Sequence, residues 1–159
     1  MLDMENVIRQ HIEQLQSLQL ATLNDSGYPE ISYAPFILHE NAFFILLSEL
    51  ASHYSNLNRD ARCSVMLIED EHKAPNPFAR TRLTLQCEAR FVTRQDPLRA
   101  TVITRMQARH GETVNVLDGL PDFHLCRLEI AHGRFISGFA KAYTFNRFKI
   151  DRCQHIAPR

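Results

Sequence analysis

No stretch of this chain approaches the ~20 consecutive apolar residues that a membrane helix requires. The N-terminal MLDMENVIRQ carries acids early and contains no apolar signal core. Together these absences predict a cytoplasmic protein with no membrane partner. Charge of one sign is lacking too: 18 Lys and Arg face 18 Asp and Glu, for a formal net charge of zero. Nucleic acids and anionic membranes are held by clustered basic faces. The bases here are scattered or sit beside acids, as in Glu88–Arg90 and Asp151–Arg152, so no nucleic-acid partner is expected. Close cysteine pairs are missing as well. Cys63, Cys87, Cys126 and Cys153 form no CxxC, which argues against a metal cluster or a redox dithiol. Three of them lie inside apolar strand patterns and read as buried, reduced thiols. There is no internal repeat, low-complexity tract or linker, and 159 residues at 45% apolar content suit one domain, residues 1–159.

The pattern that is present changes period along the chain. Ile8, Ile12 and Leu15 recur at helical spacing, predicting an amphipathic N-terminal helix from about Asp3 to Ser17 (segment 1–17). From there to residue 93 the period is two. Leu18 to Leu23, Ile31 to Leu38 and Phe43 to Leu47 read as a meander turned at Asn24–Gly27 and Glu40-Asn41. Ser52 to Asp60 suits a short helix, and Arg62 to Ile68, apolar on both faces, suits a central strand. In Arg82 to Val92, Leu83, Leu85, Cys87, Ala89 and Phe91 alternate with a polar face of Arg82, Thr84, Gln86, Glu88 and Arg90. Asp96-Pro97 opens a second helix (95–111) that Gly111 stops. Residues 122–159 supply closing strands, Phe123 to Ala131 and Arg134 to Phe139, and a mixed tail. The sum is an all-β barrel with helical decoration; periodicity does not say which barrel.

The order and spacing of several blocks say more. Leu20-Ala-Thr-Leu, Gly27-Tyr-Pro29, Phe44-Ile-Leu-Leu-Ser48, Ser52-His-Tyr-Ser-Asn56-Leu57 and Cys63-Ser-Val-Met-Leu67 follow one another. This series resembles the opening of pyridoxamine-phosphate-oxidase-like split barrels. Ile68-Glu-Asp70-Glu71, Asn76-Pro-Phe78-Ala79-Arg80-Thr-Arg82-Leu83-Thr84, and Gly133-Arg134-Phe135 followed by Gly138-Phe139-Ala140-Lys-Ala142 narrow the likeness to the haem-utilisation (HugZ/HutZ) branch. The resemblance spans roughly residues 3 to 145. It implies a mainly β fold, a six-stranded antiparallel split barrel with N-terminal and peripheral helices, paired as a homodimer with ligand clefts at the interface. It implies haem as cofactor or substrate. Other branches take flavin mononucleotide (FMN) or deazaflavin.

Candidate residues follow. A flavin phosphate needs fixed cations or backbone N–H groups. Flavin-binding members supply several from a Thr-Asn-x-x-Ser-Arg-Lys segment, which is here Ser48-Glu49-Leu50-Ala51-Ser52-His53-Tyr54. Two cations are lost and an acid gained, though Ser48 and Ser52 keep their hydroxyls; Ser52 also reads as a helix N-cap. Arg80 and Arg82 offer planar donors to propionates or phosphates, or form a salt-bridged strand end with Glu69 or Asp70. Of eight histidines, His11 reads as a surface helix residue, His39 and His72 as loop residues, His110 as a favourable charge at a helix C-terminus, His124 as a packed strand residue and His132 as a turn residue. His53 and His155 remain. The resemblance places the iron-ligating histidine in the C-terminal tail, which makes His155 the metal ligand, and gives it an aspartate from the other subunit, for which Asp122 is the candidate. Asp122 reads equally as a turn acid. The tail is shorter than in characterised members. Three functions stay open: oxidative haem degradation with iron release, FMN-dependent oxidoreduction, and haem storage without catalysis.

Overall fold

In a computed structural model, residues 3–157 are described; the termini of the expected domain, residues 1, 2, 158 and 159, lie outside them. Asp3 accepts a hydrogen bond from the Glu5 N–H and caps α1 (Met4–Glu13). The helix buries Ile8 and Ile12, each worth about 1.5–3 kcal/mol on leaving water. It ends four residues short of Ser17 because Ser17 is already paired with Pro35 in the sheet.

The strands are β1 (Ser17–Leu23), β2 (Pro29–Pro35), β3 (Ile37–His39), β4 (Ala42–Ser48), β5 (Arg62–Ile68), β6 (Arg82–Val92), β7 (Phe123–Ile136), β8 (Ala142–Asn146) and β9 (Gln154–Ile156). Helix α2 (Ser52–Arg59) separates β4 from β5, and α3 (Pro97–His110) and α4 (Thr113–Asp118) lie between β6 and β7. Every pairing is antiparallel, in the order β2-β1-β5-β6-β7-β4-β3, with β8 added to β7 and β9 to β8. The mainly β half-barrel is as the sequence predicts. Nine strands are present among the described residues where six are implied, because the return strand breaks at Phe36 and the tail adds two.

β7 organises the fold. One of its edges pairs with β6 over residues 125–136; the other takes β4 over residues 123–128 and β8 over residues 132–136. Two strands were expected here, with a turn at His132-Gly133. The chain instead stays extended and absorbs its extra residue as a bulge opposite Gln86/Cys87. Gly133 marks close packing: a Cβ there would run into the Phe145 ring.

The main core joins α1 to the inner sheet face through Leu20, Phe43, Ile45, Leu67, Leu83, Leu85 and Phe135. A second cluster packs Phe44, Leu125 and Val92 against Val102, Ile103 and Met106 of α3 and Val114 of α4. The β4 end of the sheet is therefore covered on both faces, which explains its unbroken apolar run. Periodicity missed α4. Its anchor is the buried Arg99 guanidinium, 2.6 Å from Asp118. Asp96 caps α3 with Pro97 at its first position, and Gly111 ends it at φ 88°. β5 does sit centrally, but it alternates, with Arg62 and Ser64 exposed.

Candidate functional site

The β4–α2 segment and the start of β7 come together at one end of the sheet. Ser48 pairs with Phe123 in the register, so the Ser48 hydroxyl donates to Asp122 Oδ2 at 3.2 Å and accepts from the Leu50 N–H. The Glu49 N–H donates to the Asp122 carbonyl at 2.8 Å. One register step on, His124 places Nε2 2.8 Å from Glu49 Oε1. The Tyr54 ring stacks on His124 at 4.6 Å, and Phe91 meets both rings edge-on. This is a carboxylate–imidazole pair set in an aromatic bracket. His124 does share its strand face with Cys126 and Leu128, as alternation requires, but the core stops short of it and its side chain stays 29% exposed. Alternation gave the face correctly and carried no signal for where the core ends.

His53 lies beneath this surface. It is buried, with Nδ1 2.6 Å from Thr22 Oγ1. The Asn56 amide donates to Thr22 Oγ1 at 3.0 Å and to Glu30 Oε2 at 2.7 Å. Asn56 thus fills a lone pair on the Thr22 oxygen and leaves the hydroxyl proton free to meet a neutral imidazole. Burial lowers the His53 pKa against the opposing pull of Glu30. The Glu30 carboxyl is held below the usual carboxylate range, chiefly by the Asn56 hydrogen bond and then by that from Ser52. Ser52 is the first residue of α2; the cap position is Ala51, which offers no side-chain cap.

Arg80, Arg82 and His155 lie at the opposite end. Arg80 donates twice to the Glu69 carbonyl, at 3.2 and 2.6 Å, rather than to a carboxylate. Arg82 opens β6 and donates to the Arg80 carbonyl at 3.0 Å. His155 is exposed on β9, opposite Tyr143, with Nε2 3.0 Å from the Ala140 carbonyl and its ring edge-on to Tyr143. Arg82 faces Ile136 at the far end of β7. From Asp122, just before β7, to the Arg82 row at Ile136 the chain rises about 3.3 Å per residue, so the two are about 46 Å apart along the strand. One subunit brings Ser48 to Asp122 and Ser52 to His53, and keeps both groups far from Arg82 and His155.

Other histidines also depart from expectation. His11 is buried, with Nε2 2.9 Å from the Leu67 carbonyl and its ring edge-on to Phe135, because α1 lies on the core with that face inward. His39 is buried at the end of β3, and His132 lies within β7. His110 reaches the Phe36 carbonyl at 2.8 Å. Cys63, Cys87 and Cys126 are free and buried, and burial pushes the Cys63 thiol up to about 12.

The sequence profile described as pyridoxamine 5'-phosphate oxidase matches residues 4–137 of this chain. The chain belongs to that family. Within the pyridoxamine 5'-phosphate oxidase family it is 41% identical over 140 residues, 88% of this chain and 80% of the relative, to the Vibrio cholerae protein named heme oxygenase HutZ. The crystal structure of HutZ, described as the heme storage protein from Vibrio cholerae, superposes with a TM-score of 0.76 at 36% identity, over 92% of this chain and 96% of that one. Campylobacter jejuni ChuZ superposes with a TM-score of 0.86 at 29% identity, over 96% of this chain but 62% of the ChuZ chain.

Proposed function

We propose that the protein binds haem in a cleft between two copies of the chain and opens the macrocycle oxidatively, releasing iron. The observation that carries this reading is the 41% identity, over most of both sequences, to a protein named for that activity. The chemistry of the donor set supports it. A flavin phosphate would meet no fixed cation in Ser48–Tyr54: His53 is buried and bonded to Thr22, Tyr54 is stacked, and Glu49 adds an acid. An imidazole and a guanidinium at the β6–β9 end suit iron and propionates respectively.

The separation of the two groups along β7 supports a paired molecule. Ile31 and Tyr33 of β2 are 73% and 71% exposed. They continue into Gln19, Ala21 and Met66 on the outer sheet face, a surface suited to a second copy. A two-fold interface presents the same patch from both partners, so it can bring the Asp122 end of one subunit to the His155 end of the other. When bound, haem supplies the iron and the redox chemistry. In this arrangement His155 offers a ring nitrogen to the iron, Asp122 orients that ring and raises its basicity, and Arg82, with Arg80, orients the carboxylates. Ser48 fixes the Asp122 carboxylate, and Ser52 and His53 hold the segment behind it through Glu30 and Thr22.

Hemin titration of the purified protein tests the reading: a Soret shift saturating at one haem per site is expected, and none at stoichiometric haem overturns it. A haem store without turnover is a second reading, favoured by the description of the HutZ crystal structure. Biliverdin-like products under ascorbate and oxygen exclude it.

A further inference from the structure

The polar face of β6 ends, away from Arg82, in an open basin of about 940 Å3 that none of the residues discussed above as haem contacts lines. Arg90, Arg127, Arg147 and Lys149 line it, together with Asn41. Arg127 crosses the Phe44 ring at 5.8 Å and is only 21% exposed. Its Nε is buried and has no hydrogen-bond partner. An unmatched buried N–H costs free energy, and one on a charged guanidinium costs more.

The surrounding charge does not satisfy it. Glu129 is the one carboxylate paired with these cations among the described residues. It is shared between Arg127 at 3.4 Å and Arg90 at 3.8 Å. Glu40 and Glu88 also line the basin, so its four cations exceed its acids by one charge. Arg147 and Lys149 make no side-chain hydrogen bond or ion pair among the described residues. Arg147 also holds a left-handed φ of 54°, fixed by its N–H on the Ala131 carbonyl at 2.8 Å. A non-glycine residue adopts that backbone at a cost, and here it keeps Arg147 on the basin wall.

We propose that this basin binds a compact oxyanion, a phosphate ester or a di- or tricarboxylate, seated on Arg127 and neutralised by Arg147 and Lys149. Two or more anionic oxygens let one ligand engage the part-exposed end of the Arg127 guanidinium and the two unpaired cations together, which a chloride ion cannot do. The site is separate from haem binding and does not depend on it.

Calorimetric titration of the intact protein with inorganic pyrophosphate and, separately, citrate tests the proposal against sodium chloride at matched ionic strength. Saturable binding of at least one polyanion is expected, and which one binds distinguishes a phosphoryl from a carboxylate ligand. Arg127→Lys keeps the charge and removes the planar guanidinium fork, and should weaken binding about tenfold. The double variant R147Q/K149Q, on exposed positions, should do the same while leaving hemin titration unchanged. Binding of neither polyanion, a response matched by sodium chloride, or equal affinity in R147Q/K149Q overturns the site.

Discussion

The two ends of β7 are built on opposite principles. At its start, polar side chains satisfy one another: Ser48 with Asp122, Glu49 with His124, and Thr22 with His53 and Asn56. The sheet there is packed on both faces. At its finish the sheet is extended by β8 and β9 from a single edge, and the side chains of His155 and Arg82 each hydrogen-bond only to a backbone carbonyl. The first end is rigid without a ligand. The second holds donors that the subunit itself does not use. In a protein that assembles its site from two copies, the first end is a fixed wall and the second brings the adaptable ligating groups.

The largest break in that contrast comes at the seam where β8 meets β7. Gly133→Ala drives a methyl group into the Phe145 ring, so either the aromatic ring or β8 must move. The expected loss is about 2–3 kcal/mol in denaturant melts. Phe145→Leu in the same background should recover part of it by making room. If the alanine variant melts like the parent, β8 is not packed on Gly133 and the position of His155 loses its support.

The next effect falls on the fixed wall. Thr22→Val keeps the shape and removes the hydroxyl, leaving the buried His53 Nδ1 unpaired; a loss of about 1–2 kcal/mol is expected. pH sharpens the same point. Burial lowers the folded-state pKa of both His11 and His53 below the ordinary 6.5. The unfolded chain therefore binds more protons in that range. The stability from neutral imidazoles is complete above pH 6.5, falls as pH drops from there to the folded values, and levels off below them. Glu30, held below its ordinary 4.5, adds a further loss as pH falls from that ordinary value through its folded one. His11→Gln retains a donor for the Leu67 carbonyl and does not titrate, so its stability curve between about pH 7 and 5 should be flatter than the parent's. An unchanged slope would mean that His11 is free to protonate in the folded state.

How far the sequence carried the reading depended on where the physics is local. Asp96-Pro97 and Gly111 fixed α3 to the residue, and strict alternation fixed β6, because capping and period two are properties of neighbouring residues. Gly133 misled: a glycine beside a histidine reads as a turn, but here it is a vacancy for a ring contributed by β8, which no local pattern encodes. His11, read as a surface residue, is buried for the same reason. Its exposure is decided by where α1 lands on the sheet. The Glu49–His124 pair joins residues 75 positions apart, and the basin around Arg127 draws on four separate segments. The resemblance pointed to Asp122 and Ser48, and the fold does set them 3.2 Å apart.

The smallest effect on stability is expected from the variants that bear most directly on the shared site. His155 is exposed and makes one hydrogen bond, so His155→Ala should leave the melting midpoint within about 0.5 kcal/mol of the parent. Asp122→Asn keeps an oxygen for the Ser48 hydroxyl and should be nearly as mild. Both should weaken hemin binding as separate homodimers. Mixed after partial denaturation, they make a distinction that neither can make alone. In a mixed dimer one cleft receives Asp122 and His155 from different parents and is intact, while the other carries both changes. With random pairing, half the dimers are mixed and about a quarter of all clefts regain full affinity. Recovery of that fraction in the Soret titration requires that the two residues meet across the interface. No recovery, from variants that bind poorly alone, would place both in one subunit's cleft and contradict the separation that β7 imposes.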